Sequence, residues 1–139
     1  MTKMTIEALH AFMAEAFPQV SGDFTVEEVG DLRIRVRMNI EERHLRPGGT
    51  VSGPSIFALA DVAIYLGLLA EIGPEALAVT TNCSIDFMRK PAAATDLVAE
   101  ARLLKLGRVL AVGDVLIHSA GDPSPVARAS LTYSIPPKR

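Results

Sequence analysis

Between Arg46 and Glu71 the chain carries one charged residue, Asp61, in the middle of the otherwise almost wholly apolar run Pro54–Ala70. Proline suits a first helical turn because its missing N–H would have had no intrahelical partner there. Gly73-Pro74 supplies the stop. A helix that is apolar all round needs cover on nearly every side, so this segment dictates what the rest of the chain must do. The run is slightly short of the roughly 20 residues a membrane span requires and is interrupted by an acid, so it reads as the core helix of a water-soluble fold. A carboxylate placed there must find partners or keep its proton, since burying it bare costs several kcal/mol or more.

The flanking segments have the periodicities of a cover. Residues 4–17 place Leu9, Phe12, Met13, Ala16 and Phe17 at helical spacing, with Thr5 as a cap and Pro18 as a stop. Phe24–Glu28 reads as a short strand. In Leu32–Met38, Leu32, Ile34, Val36 and Met38 alternate with Arg33, Arg35 and Arg37, which predicts a half-buried strand entered through a Gly30-Asp31 turn. The arginines read as its solvated face. Four further strands are expected near 77–88, 95–106, 109–119 and 125–135, punctuated by Lys90-Pro91, Gly107-Arg108 and Gly121–Pro125. Their close succession predicts antiparallel hairpins. The resulting order is helix, two strands, buried helix, four strands. It predicts a single α+β domain over residues 1–139, with one curved antiparallel sheet on one flank of the central helix and a second copy of the protein on the other.

Composition narrows the function classes. With 139 residues, a net charge of −2 and dispersed basic residues, the chain gives a nucleic-acid surface no electrostatic support. One cysteine, Cys83, excludes an internal disulfide framework and fits a reducing compartment. The N-terminal residues lead into an acidic amphipathic segment and not into a signal peptide, so a cytoplasmic setting without membrane partners is expected. His10, His44 and His118 are widely separated, form no paired-ligand motif and lie at no spacing that suggests a Cys–His pair, so no metal is expected. His44, in the long loop before the helix, is expected to be exposed, the alternative being that it folds back toward the helix start.

The segment Val51–Ala63, with Gly53 and Asp61 in register, resembles the signature of acyl-CoA thioesterases of the phenylacetate-degradation type, which have the hotdog fold. Ser84–Pro91, similar to a family strand that ends in a proline turn, and the Lys105–Arg108 hairpin carry the resemblance over roughly residues 22–136. It implies hydrolysis of an acyl-CoA to free acid and coenzyme A, with no cofactor beyond the coenzyme A of the substrate. It also implies roles: Asp61 as general base or nucleophile, the Gly53 amide as donor to the thioester oxygen, and the Thr80 hydroxyl positioning the attacking water. Two positions depart from the family pattern. Ser52 stands where the family has histidine, and Pro54 where it has a second glycine.

The start of the 54–71 helix offers unpaired N–H groups and the positive end of the helix dipole. Pro54 has no N–H, which leaves Gly53, Ser55 and the Ser52 hydroxyl as candidate donors; Ser52 also suits a helix cap. Arg89, Lys90, Lys105 and Arg108, at strand ends, are candidates for the coenzyme A phosphates or for ordinary surface charge. Eight residues of helix separate Gly53 from Asp61 by roughly 12 Å, too far for one thioester carbon to meet both. The pair is therefore expected to act across a two-fold homodimer with antiparallel central helices, and two such dimers can associate further. A non-catalytic acyl-ligand binding protein is the alternative, favoured by the loss of the motif histidine. A dehydratase ranks last because no histidine is placed beside the carboxylate.

Overall fold

The computed structural model describes residues 2–137. Helix α1 (Ile6–Ala16) is capped by Thr5, whose hydroxyl accepts the Ala8 N–H at 3.1 Å. Strands β1 (Phe24–Gly30) and β2 (Arg33–Met38) follow, then a loop containing the short turn Glu42–His44. Helix α2 (Gly53–Ile72) comes next, and strands β3 (Val79–Phe87), β4 (Leu97–Leu106), β5 (Leu110–Ser119) and β6 (Pro125–Ser134) complete the chain. The six strands make one antiparallel sheet in the order β1-β2-β4-β5-β6-β3. This sheet curls around α2, and the arrangement is the hotdog fold.

Helix α2 is the core. Leu59, Ala60, Ile64, Leu66, Leu68 and Leu69 are at most 1% exposed. Its 20 residues do reach the length and hydropathy of a membrane span, yet the sheet and α1 cover most of it. The inward residues of β4 and β5 (Leu97, Ala99, Ala101, Leu103, Ala111, Val115, Ile117) pack with it in one cluster. Besides its ends, what stays partly uncovered includes a stripe at helical spacing, Pro54, Phe57, Ala58 and Asp61. The three β2 arginines lie on the outer face as expected, paired with Glu27, Glu28 and Asp96.

Two sequence expectations need correction. Strands β3 and β4 form no hairpin: β3 pairs with β6 at one edge, while β4 lies between β2 and β5. The 88–96 connection is long enough to cross, and crossing lets β4 place its small and aliphatic residues against the helix, whereas a two-residue turn would have forced neighbours. The β1–β2 turn lies one residue later than the expected Gly30-Asp31: Gly30 ends β1, Asp31-Leu32 makes the turn, and Leu32 (φ 57°) is left-handed and precedes β2. The end of α2 holds that strained residue, since the Glu71 carboxylate accepts the Leu32 N–H at 2.8 Å.

Gly113 on β5 lies against α2 with no room for a side chain. A Cβ there would lie 2.4 Å from Ile64 Cδ1 and 3.0 Å from the Arg102 carbonyl oxygen. Gly113→Ala should therefore cost about 1–3 kcal/mol through overpacking. Urea unfolding checks this, and an unchanged midpoint would contradict the tight contact.

Candidate active site

Asp61 is half-buried, and its neighbours resolve the burial problem. The Thr80 hydroxyl on β3 donates to Asp61 Oδ1 at 2.5 Å, and the Tyr133 hydroxyl on β6 donates to the same oxygen at 2.8 Å. Tyr133 also lies 3.1 Å from the Asp61 carbonyl oxygen. Both donors converge on Oδ1, so Oδ2 meets no protein donor among the described residues. Burial, then the Asp61 charge, pushes the Tyr133 phenol far above its ordinary range, so it stays protonated and donating near neutral pH. Tyr133 escaped the sequence reading. It lies in the stretch read only as a strand near 125–135, is buried in the structure, and nothing local indicates a partner 72 residues away.

The helix start is sharper than expected. Ser52 is the N-cap, its Oγ accepting the Ser55 N–H at 3.3 Å and lying 3.1 Å from Ser55 Oγ. Of the three candidate donors, Ser52 and Ser55 are thus engaged with each other. Gly53 is the first helical residue, and its N–H meets no acceptor among the described residues. Its φ is not left-handed, and a Cβ would meet only the Phe87 ring, at 3.5 Å, an ordinary contact. The fold itself thus makes no demand for glycine at 53. Gly53 lies against the Phe87 end of β3 and Asp61 against the Thr80 end, so the chain keeps them apart as the helix geometry predicts.

Two cavities flank Asp61. One, of about 350 Å³, is lined by Phe17, Val62, Tyr65, Val79, Thr80 and Tyr133. The other, of about 330 Å³, is lined by apolar residues including Phe24, Met38 and Phe57, together with Ser55, Asp23 and His44. His44 corrects an expectation: it is 6% exposed and folded inward. A larger groove, about 620 Å³, lies away from Asp61, among Arg33, Glu28, Asp86 and Arg128. Those charges pair with one another, which marks a solvated face.

Arg89, Lys90 and Arg108 are exposed and do not form one cluster within the chain. The Arg89 N–H bonds the Val126 carbonyl at the start of β6, whereas Arg108 adjoins Val109, whose carbonyl accepts the Ile135 N–H beyond the end of β6. Cys83 is half-buried against the core, its thiol pushed up by burial and by the Asp61 charge.

With this geometry in view, the sequence profile of the thioesterase superfamily matches residues 48–126, more than half of the chain. The chain belongs to the thioesterase superfamily. A crystal structure of a Silicibacter protein assigned as a thioesterase is 57% identical, with a TM-score of 0.92 over 99% of this chain and 95% of that one. The phenylacetic acid degradation protein PaaI of Thermus thermophilus, solved as a point mutant, is 28% identical with a TM-score of 0.73, over 86% of this chain and 99% of that one. A Pseudomonas aeruginosa protein assigned as an esterase is 27% identical over 90% of this chain and 92% of its own length. Thioester hydrolase activity in general follows from membership. The superfamily match spans the loop from residue 48, α2 and Thr80 but stops before Tyr133 and begins after Asp23 and His44.

Tyr133→Phe removes one of two donors to a charged oxygen. It should cost about 1.5–3 kcal/mol, the worth of a hydrogen bond to an ionised group. Thr80→Val should cost a similar amount, with the pair less than additive because they share Oδ1. Chemical denaturation of the singles and the double tests this, and full additivity would show that the two hydroxyls do not serve one atom.

Proposed function

We propose that the protein is an acyl-CoA thioesterase that acts as a homodimer, with Asp61 of one subunit and Gly53 of the partner subunit forming each site. The observation that carries this reading is the Asp61 carboxylate, held through Oδ1 by Thr80 and Tyr133, with Oδ2 left without a donor among the described residues and with a cavity on either side. Such a carboxylate serves as general base. Oδ2 takes a proton from water as the oxygen attacks the thioester carbon, and the oxyanion forms facing the Gly53 N–H. Collapse expels the coenzyme A thiolate, which takes up a proton. Attack by Oδ2 itself, giving an anhydride that water then opens, balances equally. A helix-start N–H of this type contributes about 3–4 kcal/mol at the transition state. Thr80, with its hydroxyl directed at Asp61, orients the base rather than the water.

Surface chemistry supports the dimer. Strand β3 is a sheet edge with Val79 55% and Phe87 56% exposed, and Leu77 and Met88 beside it are exposed too. A nine-residue edge with exposed apolar residues at both ends offers unpaired backbone groups that a second strand can take up. Antiparallel pairing of β3 with a second β3 sets the Thr80 end of one chain beside the Phe87 end of the other. That brings Asp61 toward Gly53 of the partner subunit and covers the Pro54–Phe57–Ala58 stripe. The same pairing gathers Arg108 with Arg89 and Lys90 of the partner subunit, a cluster suited to the phosphates of coenzyme A. Ser52 serves as helix cap and Ser55 lines the acyl-side cavity.

The engagement of Ser52 as a cap favours a second reading, an acyl-ligand binding protein without turnover. Thiol release from acyl-CoAs of graded chain length separates the two. The thioesterase reading expects turnover that Asp61→Asn lowers about 10²–10⁴-fold. Equal release by both proteins contradicts it, and tight binding without release favours the second reading. For the assembly, Val79→Lys with Phe87→Lys should yield a monomer by sedimentation and abolish turnover; an active monomer would exclude the shared site.

A further inference from the structure

His44 is the buried titratable group that the proposed chemistry does not use. Its Nδ1 accepts the Glu41 N–H at 2.9 Å, and its Nε2 lies 3.5 Å from Asp23 Oδ2. An Nδ1 that accepts must be unprotonated, so the neutral ring carries its hydrogen on Nε2, facing the Asp23 carboxylate. Both nitrogens are thereby committed, and the ring has no lone pair for a substrate or a water. His44 cannot replace the missing motif histidine as a base, although it lines the cavity that also contains Ser55 and Asp61.

What it holds is the helix cap. The His44 carbonyl accepts the Ser52 N–H at 2.8 Å, Leu45 and Val51 form a β-bridge, and the Arg46 N–H bonds the Thr50 carbonyl at 2.9 Å. Residues 44–52 are therefore a closed hairpin whose base is the His44–Ser52 bond. Ser52 in turn caps α2 and precedes Gly53. The imidazole pins one end of this hairpin to the Glu41 backbone, with its Nε2 side 3.5 Å from Asp23, which precedes β1 and also pairs with Arg43.

We propose that His44 is a positioning residue, whose neutral ring locks the 41–52 loop so that the Gly53 N–H stays aimed into the site, and whose protonation at Nδ1 releases the loop. A proton on Nδ1 points at the Glu41 N–H, replacing an acceptor with a second donor. The charged groups facing the ring are Asp23 below it, Arg43 and Glu41 on its own turn, and Asp61 across the cavity. Burial and the Arg43 cation hold the imidazole below its ordinary value near 6.5, against the pull of Glu41. A lowered folded-state value means the unfolded chain binds the proton more readily. Stability from this site is thus complete above the ordinary value and is lost as pH falls below it toward the folded value.

The functional part of this inference rests on the thioesterase reading, and the structural part does not. Two measurements on the full-length protein keep them distinct. By NMR, the His44 ring should show the Nε2–H tautomer, and exchange protection of the Ser52 amide should vanish as that ring titrates. Glutamine keeps an acceptor for Glu41 and a donor for Asp23 without titrating, so His44→Gln should retain that protection in acid. In turnover, His44→Ala should lower kcat about 10–100-fold at mildly alkaline pH, as displaced catalytic groups do, with KM changed much less. His44→Gln should restore kcat to within about threefold and remove the histidine-dependent part of the acid limb. An Nδ1–H tautomer, or Ser52 protection that ignores the titration, overturns the proposal even if no thioester is hydrolysed. An acid limb identical in wild type and His44→Gln overturns its catalytic part. Absence of turnover with the NMR behaviour intact overturns the thioesterase reading alone.

Discussion

The structure depends on covering one helix that has no polar face. Helix α2 is too apolar to stand in water, and the curled sheet and α1 exclude water from most of it. That coverage is uneven in a useful way. It leaves Pro54, Phe57, Ala58 and Asp61 along one stripe next to the unpaired edge of β3. The one acid within the helix's apolar run therefore stands where protein cover ends. Two hydroxyls from different strands make that position tolerable, and they do so through one oxygen, leaving the other without a donor among the described residues.

On the proposed reading, the tasks of the site are separated along the helix. Its first turn, capped by Ser52, presents the Gly53 N–H, which has no acceptor among the described residues; Asp61, two turns on, presents the carboxylate. Neither element serves both purposes within one chain, because rise along a helix is fixed. In the proposed dimer, a second chain would both cover the exposed β3 edge and complete the split site. The same proposal would bring together the basic residues at opposite ends of β6, since a two-fold axis juxtaposes opposite ends.

Much of this was legible in the sequence because it is periodic. The β2 alternation, the caps at Thr5 and Ser52, and the stop at Gly73 each announce themselves within a few residues. Asp61 was legible because a lone acid in an apolar run has few explanations. What was hidden is long-range. The β3–β4 crossover depends on which strand best covers α2; the length of the 88–96 connection permits it but does not dictate it. Tyr133 looked like any strand residue until its hydroxyl met Asp61. His44 looked like a loop histidine because its burial depends on Asp23 and Glu41, which only the folded loop assembles.

The central claim is that each site draws Asp61 and Gly53 from different chains, and mixing inactive variants tests it most directly. Asp61→Asn removes the carboxylate, and Gly53→Val obstructs the donor; Gly53 has neither a left-handed φ nor a close contact that would strain such a side chain. Random reassociation of equal amounts makes about half the dimers mixed, each with one intact site, so the account predicts recovery of about a quarter of wild-type turnover. No recovery on mixing, with mixed dimers verified by mass spectrometry, would place both residues in the same chain's site and contradict the account.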